Sequence, residues 1–240
     1  MPDESSSPFF DHSSVYRSAV GKLMYVAVAT RPDIHFAVCF AARFSHAPTA
    51  AHWKFVKRII QYLKGTANFE LAFITRGSLS NQPIIGYVDA DWAGDQEDRK
   101  STTGFIFQIF GCTVRWQSIK QKSVALSSTE AEYMALSDAT REAVWLRRFL
   151  LELGIPITSP TIMYEDNQGT IALVENPIRH KRSKHIDIRY HYTRDALTNN
   201  EISLVYIPTA DQLADVMTKA IARSKFEELR LKIGIHPPSI

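Results

Sequence analysis

The 240-residue chain is 45% hydrophobic and 22% charged, values ordinary for a globular protein and sufficient for one or two domains with a real core. A formal charge of +3 does not by itself indicate a polyanion partner, so clustering has to carry that argument. The only cysteines, Cys39 and Cys112, are far apart and lack metal-ligand spacing, which argues against a disulfide scaffold and for a reduced intracellular chain.

The leader MPDESSSPFFDHSS has neither the basic start nor the apolar core of a secretory signal. No apolar run approaches the roughly 20 residues of a membrane span. A soluble, intracellular and cytoplasmic protein is expected. Residues 14–30 then place Val20, Leu23, Met24 and Ala27 at helical spacing, until Arg31-Pro32 ends the run. A second helix is predicted over 33–46, with Ile34, Ala37, Val38 and Ala41 in a stripe. A third, over 49–64, carries Trp53, Val56, Ile59, Ile60 and Leu63 and stops at Gly65. Its other face bears Lys54, Lys57, Arg58 and Lys64, either a solvated face or one that tracks phosphates.

Residues 76–82 (RGSLSNQ) read as a linker, separating a helical segment at 1–75 from a domain at 83–222 and a tail at 223–240. Beyond the linker, strands are predicted at 84–90, 103–110 and 113–118, with Gly111 at the last turn. A long helix follows at 128–153, then a strand at 161–165 and helices at 167–175 and 186–198. A strand at 202–207 and a helix from about 210 complete a mixed α/β pattern.

The acids of this second region are the informative residues. In the long helix, Glu132, Leu136, Ala139, Ala143, Leu146, Leu150 and Leu153 alternate by four and three along one stripe. Glu132 is therefore an acid on the buried face, where a plain core would have leucine. Glu130 lies on the other side and completes a Ser-x-x-Glu capping box with Ser127. Asp89 ends the strand IIGYVD and Asp91 lies two residues on, and spacing alone does not choose between them. Asp166 follows the strand TIMYE at a position that equally suits a helix cap. Asp215 sits beyond the reach of the helix-dipole argument that accounts for Asp211, in a helix whose start at Thr209–Gln212 again suits a capping box. Such elements can gather acids at the carboxyl end of a parallel pair of strands. Carboxylates meeting without His or Cys suit hard cations such as Mg²⁺.

In order and spacing, YVDADWAGD, RKSTTGF, SSTEAEYMALSDA, YEDNQGTIAL, KHIDIRYHYTRD and QLADVMTK resemble the ribonuclease H domain of copia-type retrotransposon polyproteins. Upstream, YRSAVGKLMYVAVATRPDIHFAV and AHWKFVKRIIQYLKGT are similar to the segment joining reverse transcriptase to that domain. The match runs from about 15 to 222. It implies a ribonuclease H-like five-stranded mixed sheet flanked by helices, preceded by a small helical segment. It also implies four catalytic and metal-binding acids, Asp89, Glu132, Asp166 and Asp215, leaving Asp91 and Asp95 as loop acids. The implied reaction hydrolyses the RNA strand of an RNA–DNA hybrid with two Mg²⁺ ions, or Mn²⁺, about 4 Å apart. The upstream reverse transcriptase is an implied partner, and no membrane is.

Two departures from the family pattern stand out. Tyr206-Ile-Pro-Thr209 runs almost straight into the last helix without the loop histidine of many ribonucleases H, and His185 is not assigned to that role. No adjacent Asp-Asp pair of a polymerase hairpin is present, so no polymerase activity is expected; YVDAD is only superficially similar to one.

The densest basic run, residues 179–189, holds Arg179, Lys181, Arg182, Lys184 and Arg189, and beside a site for metal ions it suits a phosphate backbone. Arg99, Lys100, Lys120 and Lys122 in loops flanking the strands are further candidates for the duplex. Trp116 reads as core, and the irregular spacing of His180, His185 and His191 does not suit a metal. Two competing readings remain. One is a catalytically silent nucleic-acid-binding relic; the other is a different metal nuclease of the same fold, such as an integrase, against which the lack of a His/Cys zinc module counts.

Overall fold

A computed structural model of the chain describes residues 12–73, 83–176 and 184–238, with only the backbone of 184–190. The predicted linker at 76–82 lies outside the described residues, as do His180, Arg179, Lys181 and Arg182. In chain order the elements are α1 (Ser13–Ala29), α2 (His35–Ala42), α3 (Ala50–Gly65), β1 (Glu70–Leu71), β2 (Ile84–Asp91), β3 (Thr102–Ile109) and β4 (Cys112–Lys120). They continue with α4 (Ser128–Glu152), β5 (Thr161–Glu165), α5 (Gln168–Glu175), α6 (Lys184–Thr198) and β6 (Ile202–Tyr206), then α7 (Asp215–Thr218), α8 (Arg223–Lys232) and β7 (Ile235–His236). These fall into two compact units, one of residues up to 72 together with those from 230 onward, the other of residues 73–229.

In the first unit, α1 buries Tyr16, Val20, Leu23 and Ala27, a spacing that keeps one face towards α2 and α3. The helix expected over 33–46 is shorter, because residues 32–34 form a 3₁₀ turn and α2 runs only from His35 to Ala42. Pro32 at the head of the turn has no N–H to give. The turn is fixed instead by the buried pair Arg31–Asp33, with Nη2 2.8 Å from Oδ2, and by the Tyr62 hydroxyl donating to Asp33 at 2.7 Å. The unit is closed by a strand pair that the sequence pattern does not announce: β1 pairs antiparallel with β7, Glu70 opposite His236. Arg230 donates to the Tyr62 hydroxyl at 3.2 Å and lies 4.7 Å from the centre of the Phe69 ring.

The second unit is a mixed α/β layer structure, as the pattern of elements predicts. Among the described residues, five strands form one sheet in the order β4-β3-β2-β5-β6. β2, β3 and β4 pair as an antiparallel meander, whereas β5 and β6 run parallel to β2. Period-two alternation along β2 puts Ile84, Val88 and Ala90 in one core with Leu136, Ala139, Ala143, Leu146 and Leu150 of α4. Gly86 belongs to the same face, where a Cβ would stand 2.6 Å from the Phe107 ring and 2.7 Å from Met163 Sδ. The absent side chain is thus what lets two large residues meet over the central strand. Trp116 is buried, as expected.

Candidate active site

Asp89 is out of step with Val88 and Ala90, so it leaves the α4 face of β2 and lies buried at the strand's carboxyl end. Its cross-strand partner is Gly104, where a Cβ would stand 2.5 Å from Thr218 Cγ2 and 2.7 Å from Met217 Cβ. A bare position on β3 therefore lets α7 lie close beside Asp89. Asp91 is turned elsewhere: its carboxylate packs over Gly94, where a Cβ would come within 1.9 Å of Oδ2.

Glu132 enters from α4, one turn past its start. Ser127 caps that helix, accepting from the Glu130 N–H at 3.2 Å, while the Glu130 carboxylate accepts from the Leu126 N–H at 2.8 Å. Glu130 is thus occupied at the helix terminus, and Glu132 is left on the buried stripe. Leu153 departs from that stripe: it is the C-cap and 60% exposed. Asp166 follows β5 directly, and it is Asn167 that caps α5, accepting from the Thr170 N–H at 3.0 Å. Asp166 is thereby free of the capping role its position allowed.

Asp215 reaches the site by a different route from the one expected. No continuous helix runs from 210; a 3₁₀ turn at Thr209–Asp211 is followed by the short α7, which Asp215 opens, and α8 starts only at Arg223. The expected capping box at Thr209–Gln212 is absent, because Gln212 turns inward. Its Nε2 donates to the Val88 carbonyl at 2.8 Å and lies 3.4 Å from the Tyr164 carbonyl, and its Oε1 accepts from the Ala214 N–H at 3.2 Å.

The result is a cluster in which Asp89, Glu132 and Asp166 each present an oxygen within 4.8 Å of the others. Asp215 joins it through Lys219, whose Nζ is 2.9 Å from Asp215 Oδ1 and 3.5 Å from Asp89 Oδ2. Thr218 Oγ1 also donates to Asp89 Oδ2. A fifth acid, Glu165, is fully buried, with Oε1 accepting from the Asn167 N–H at 3.1 Å and, among the described residues, no hydrogen-bond partner for Oε2.

Burial raises four of these carboxyl groups, Asp89, Glu132, Glu165 and Asp215, for desolvation penalises the charged form. Glu132 is pushed well above the ordinary range by burial and then by the charges of Glu165, Asp89 and Asp166. Burial likewise raises Glu165, and raises Asp89 against the pull of Lys219 and Thr218. Asp215 is pushed up to about 6, by burial and then by Asp89. Burial by itself would lower the Lys219 ammonium, but Asp89, Asp215 and Asp166 outweigh it and hold its pKa above the ordinary lysine range. Among the described residues, one ammonium among five carboxyl groups leaves the cluster short of positive charge. The donors are all oxygen, and Glu132 Oε2 is buried without a hydrogen-bond partner among the described residues. Both features fit a hard divalent cation.

Around this site the basic residues are unevenly placed. Lys120 is 2.5 Å from Asp95 and 3.0 Å from Asp98, and Lys100 is 3.2 Å from Asp98. Their charges are thus already engaged by the loop acids. Arg99 and Lys122 are exposed, and Lys184 lies on α6. Trp92, three residues past Asp89, donates to the Ala125 carbonyl at 3.1 Å while half its surface stays exposed.

No protein-family model matches the chain. Over 222 residues, 92% of its length, it is 46% identical to the retrovirus-related Pol polyprotein from transposon TNT 1-94 of Nicotiana tabacum. The chain belongs to the Pol polyproteins of copia-type retrotransposons. It spans about a sixth of the length of the Pol relatives it matches, 16% of the tobacco protein. The secreted RxLR effector protein 161 of Plasmopara viticola is 51% identical to this Pol segment over 131 residues, 55% of the chain and 90% of that protein. The foamy viral protease–reverse transcriptase, solved in complex with an RNA/DNA hybrid, superposes with a TM-score of 0.51 over 91% of the chain and 27% of that protein, at 12% identity. That likeness concerns the fold, and the Pol segment carries a ribonuclease H-like domain.

Glu165, Gln212, Thr218 and Lys219 are the site residues that sequence reasoning missed. For Glu165 the signal was present: alternation along β5 buries Thr161, Met163 and Glu165 together, the same criterion that singles out Glu132. Lys219 stands four residues after Asp215, a pairing distance on a helix. Gln212 gave no such signal, because its role depends on the helix not forming there.

Proposed function

We propose that this chain is a retrotransposon-derived ribonuclease H that hydrolyses the RNA strand of RNA–DNA hybrids, with Asp89, Glu132, Asp166 and Asp215 holding two divalent ions. The observation that carries the reading is the convergence of Asp89, Glu132 and Asp166 within 4.8 Å, with an oxygen of Glu132 buried and unpartnered among the described residues. Buried like charges in such proximity are costly without a counter-ion. When bound, Mg²⁺ or Mn²⁺ supplies an activated water and stabilises the leaving oxygen.

The chain's own residues supply the preorganisation. Thr218 and Lys219 hold Asp89 Oδ2, Asn167 relieves Asp166 of capping, and Gln212 ties together the strand ends that bear Asp89 and Asp166. Hybrid selection rests on duplex shape and 2′-hydroxyl contacts rather than base identity. Arg99, Lys122 and the basic run Arg179, Lys181, Arg182 and Lys184 follow the phosphates, with Lys100 and Lys120 contributing less. Residues 83–222 carry the activity, and residues 1–75 correspond to the end of the reverse transcriptase, whose remainder is the partner that improves substrate binding. Polymerisation is not part of the proposal, since the chain has no adjacent Asp-Asp pair.

The deciding experiment incubates the purified chain with labelled RNA–DNA, RNA–RNA and DNA–DNA duplexes in Mg²⁺ or EDTA, beside Asp89→Asn. Mg²⁺-dependent cleavage confined to the RNA strand of the hybrid, and lost in the variant, is expected. Hybrid binding without cleavage would establish a silent relic instead, and cleavage of DNA–DNA would point to another nuclease of this fold.

A further inference from the structure

The acid cluster is not evenly open to cations. Among the described residues, Asp89, Glu132 and Asp166 stand together with only one of their oxygens, Asp89 Oδ2, engaged by a side chain, Thr218 and Lys219 both reaching it. On the other side, the gap between Asp89 and Asp215 is spanned by the Lys219 ammonium, 2.9 Å from one carboxylate and 3.5 Å from the other. An ammonium there contributes the charge that a cation shared by these two acids would otherwise bring. The Lys219 side chain is 34% exposed, and its flexible four-carbon stem gives it a path out to water.

We propose that Lys219 is a positioning residue that acts as a built-in counter-ion. A first divalent ion binds to Asp89, Glu132 and Asp166 with Lys219 in place, and a second binds between Asp89 and Asp215 only as Lys219 withdraws. The two ions then bind with unequal affinity, and the weaker position is governed by a residue that is not itself a ligand. This inference rests on the reading of the cluster as a divalent-metal site. It adds that occupancy is stepwise and that the chain supplies the competitor.

The test is Mn²⁺ titration of the full chain without nucleic acid, following free Mn²⁺ by electron paramagnetic resonance. Wild type, Lys219→Met, Lys219→Arg and Asp89→Asn are compared, with folding checked by circular dichroism. Wild type is expected to bind one ion tightly and a second weakly. Lys219→Met is expected to tighten the second by at least tenfold, while Lys219→Arg, which keeps the cation, stays near wild type. A Lys219→Met curve that coincides with wild type, or shows weaker binding, overturns the proposal. Mn²⁺ binding that is absent from every protein, or unaffected by Asp89→Asn, overturns the metal-site reading itself.

A second measurement follows the wild-type protein itself. In ¹³C-lysine-labelled wild type titrated with Mg²⁺, the Lys219 Cε resonance, identified by its loss in Lys219→Arg, should move with the second equivalent and not the first. Movement complete at the first equivalent, or no movement at saturation, contradicts the stepwise exchange.

Discussion

Gln212 Nε2 donates to the main-chain carbonyl of Val88 at 2.8 Å, one residue before Asp89. The same nitrogen lies 3.4 Å from the carbonyl of Tyr164, two residues before Asp166. One buried amide therefore clasps the two parallel strands that deliver acids to the site, at the point where their ladder has ended: the last paired residues are Tyr87 and Tyr164.

Replacing Gln212 by Ala strands the Val88 carbonyl in the interior. A buried acceptor left without its donor costs about 1–3 kcal/mol, and urea denaturation should show a loss in that range. Gln212→Glu should not restore it, since a carboxylate has no N–H to offer a carbonyl. A stability change under ~0.5 kcal/mol for Gln212→Ala would show that the clasp does not stabilise the fold.

Gly104→Ala tests the packing of α7 beside Asp89. The added methyl would meet Thr218 and Met217 at 2.5 and 2.7 Å, so α7 has to shift. Overpacking of this kind costs about 1–3 kcal/mol. Since α7 carries Asp215 and Thr218, hybrid cleavage should fall by more than the loss of folded protein explains. Full specific activity per folded molecule would contradict that placement.

Asn167 and Asp166 should separate stability from metal binding, although they are neighbours. Asn167→Ala removes the cap of α5 and should cost about 1 kcal/mol, with Asn167→Asp close to wild type. Asp166→Asn removes a charge from a crowded acid cluster, so it should leave stability in EDTA unchanged or raised while weakening Mn²⁺ binding. Thermal melts with and without Mn²⁺ read both effects. Destabilisation by Asp166→Asn in EDTA would mean that Asp166 has a structural partner after all.

Asp215 sets a pH dependence for the metal-free protein. Its folded pKa of about 6 lies above the 3.8 of the unfolded chain, so the folded state holds the proton longer. The stability this group contributes is complete below about pH 4 and is lost as pH rises through about 6, on the order of 2–3 kcal/mol. In EDTA, Asp215→Asn should therefore gain on wild type between pH 4 and 7. Mg²⁺ should narrow the gap at pH 7 by binding the ionised form. An unchanged difference across that range would refute the assignment.

Lys122 and Lys120 make a matched pair for the hybrid interface. Lys120 is committed to Asp95 and Asp98, whereas Lys122 is exposed. Lys122→Gln should lower hybrid affinity and reduce the salt dependence of binding by about one phosphate contact, with Lys120→Gln changing the slope less. The reverse order would show that the Asp95–Asp98 pairing opens on substrate.

How far the sequence reveals this site depends on the range of the interactions. Glu132 was legible because four-and-three spacing is a local property, and the 25-residue α4 keeps that spacing in register with the sheet. The strands of the meander were legible for the same reason. Which strand-end acid faces the site was not a matter of spacing: Asp89 is placed by Gly104 on the neighbouring strand, and Asp91 by Gly94 in a turn. The break in the last helix was invisible because Gln212 is an ordinary helix residue locally. It leaves the helix to satisfy carbonyls more than forty and more than a hundred residues away. Likewise, Glu70–Leu71 is too short to read as a strand until its partner arrives from the other end of the chain.

That last pairing makes the helical unit a split one: its helices precede the sheet domain in sequence, and its closing strand follows it. Cutting the chain after residue 72 would leave β1 without a neighbour and Tyr62 and Phe69 without Arg230. In genetic terms, a premature stop that spares every acid of the site would still damage the opening helices. Residues 70–71 and 235–236 stand or fall together, with the ribonuclease H-like domain threaded between them in sequence as an insertion.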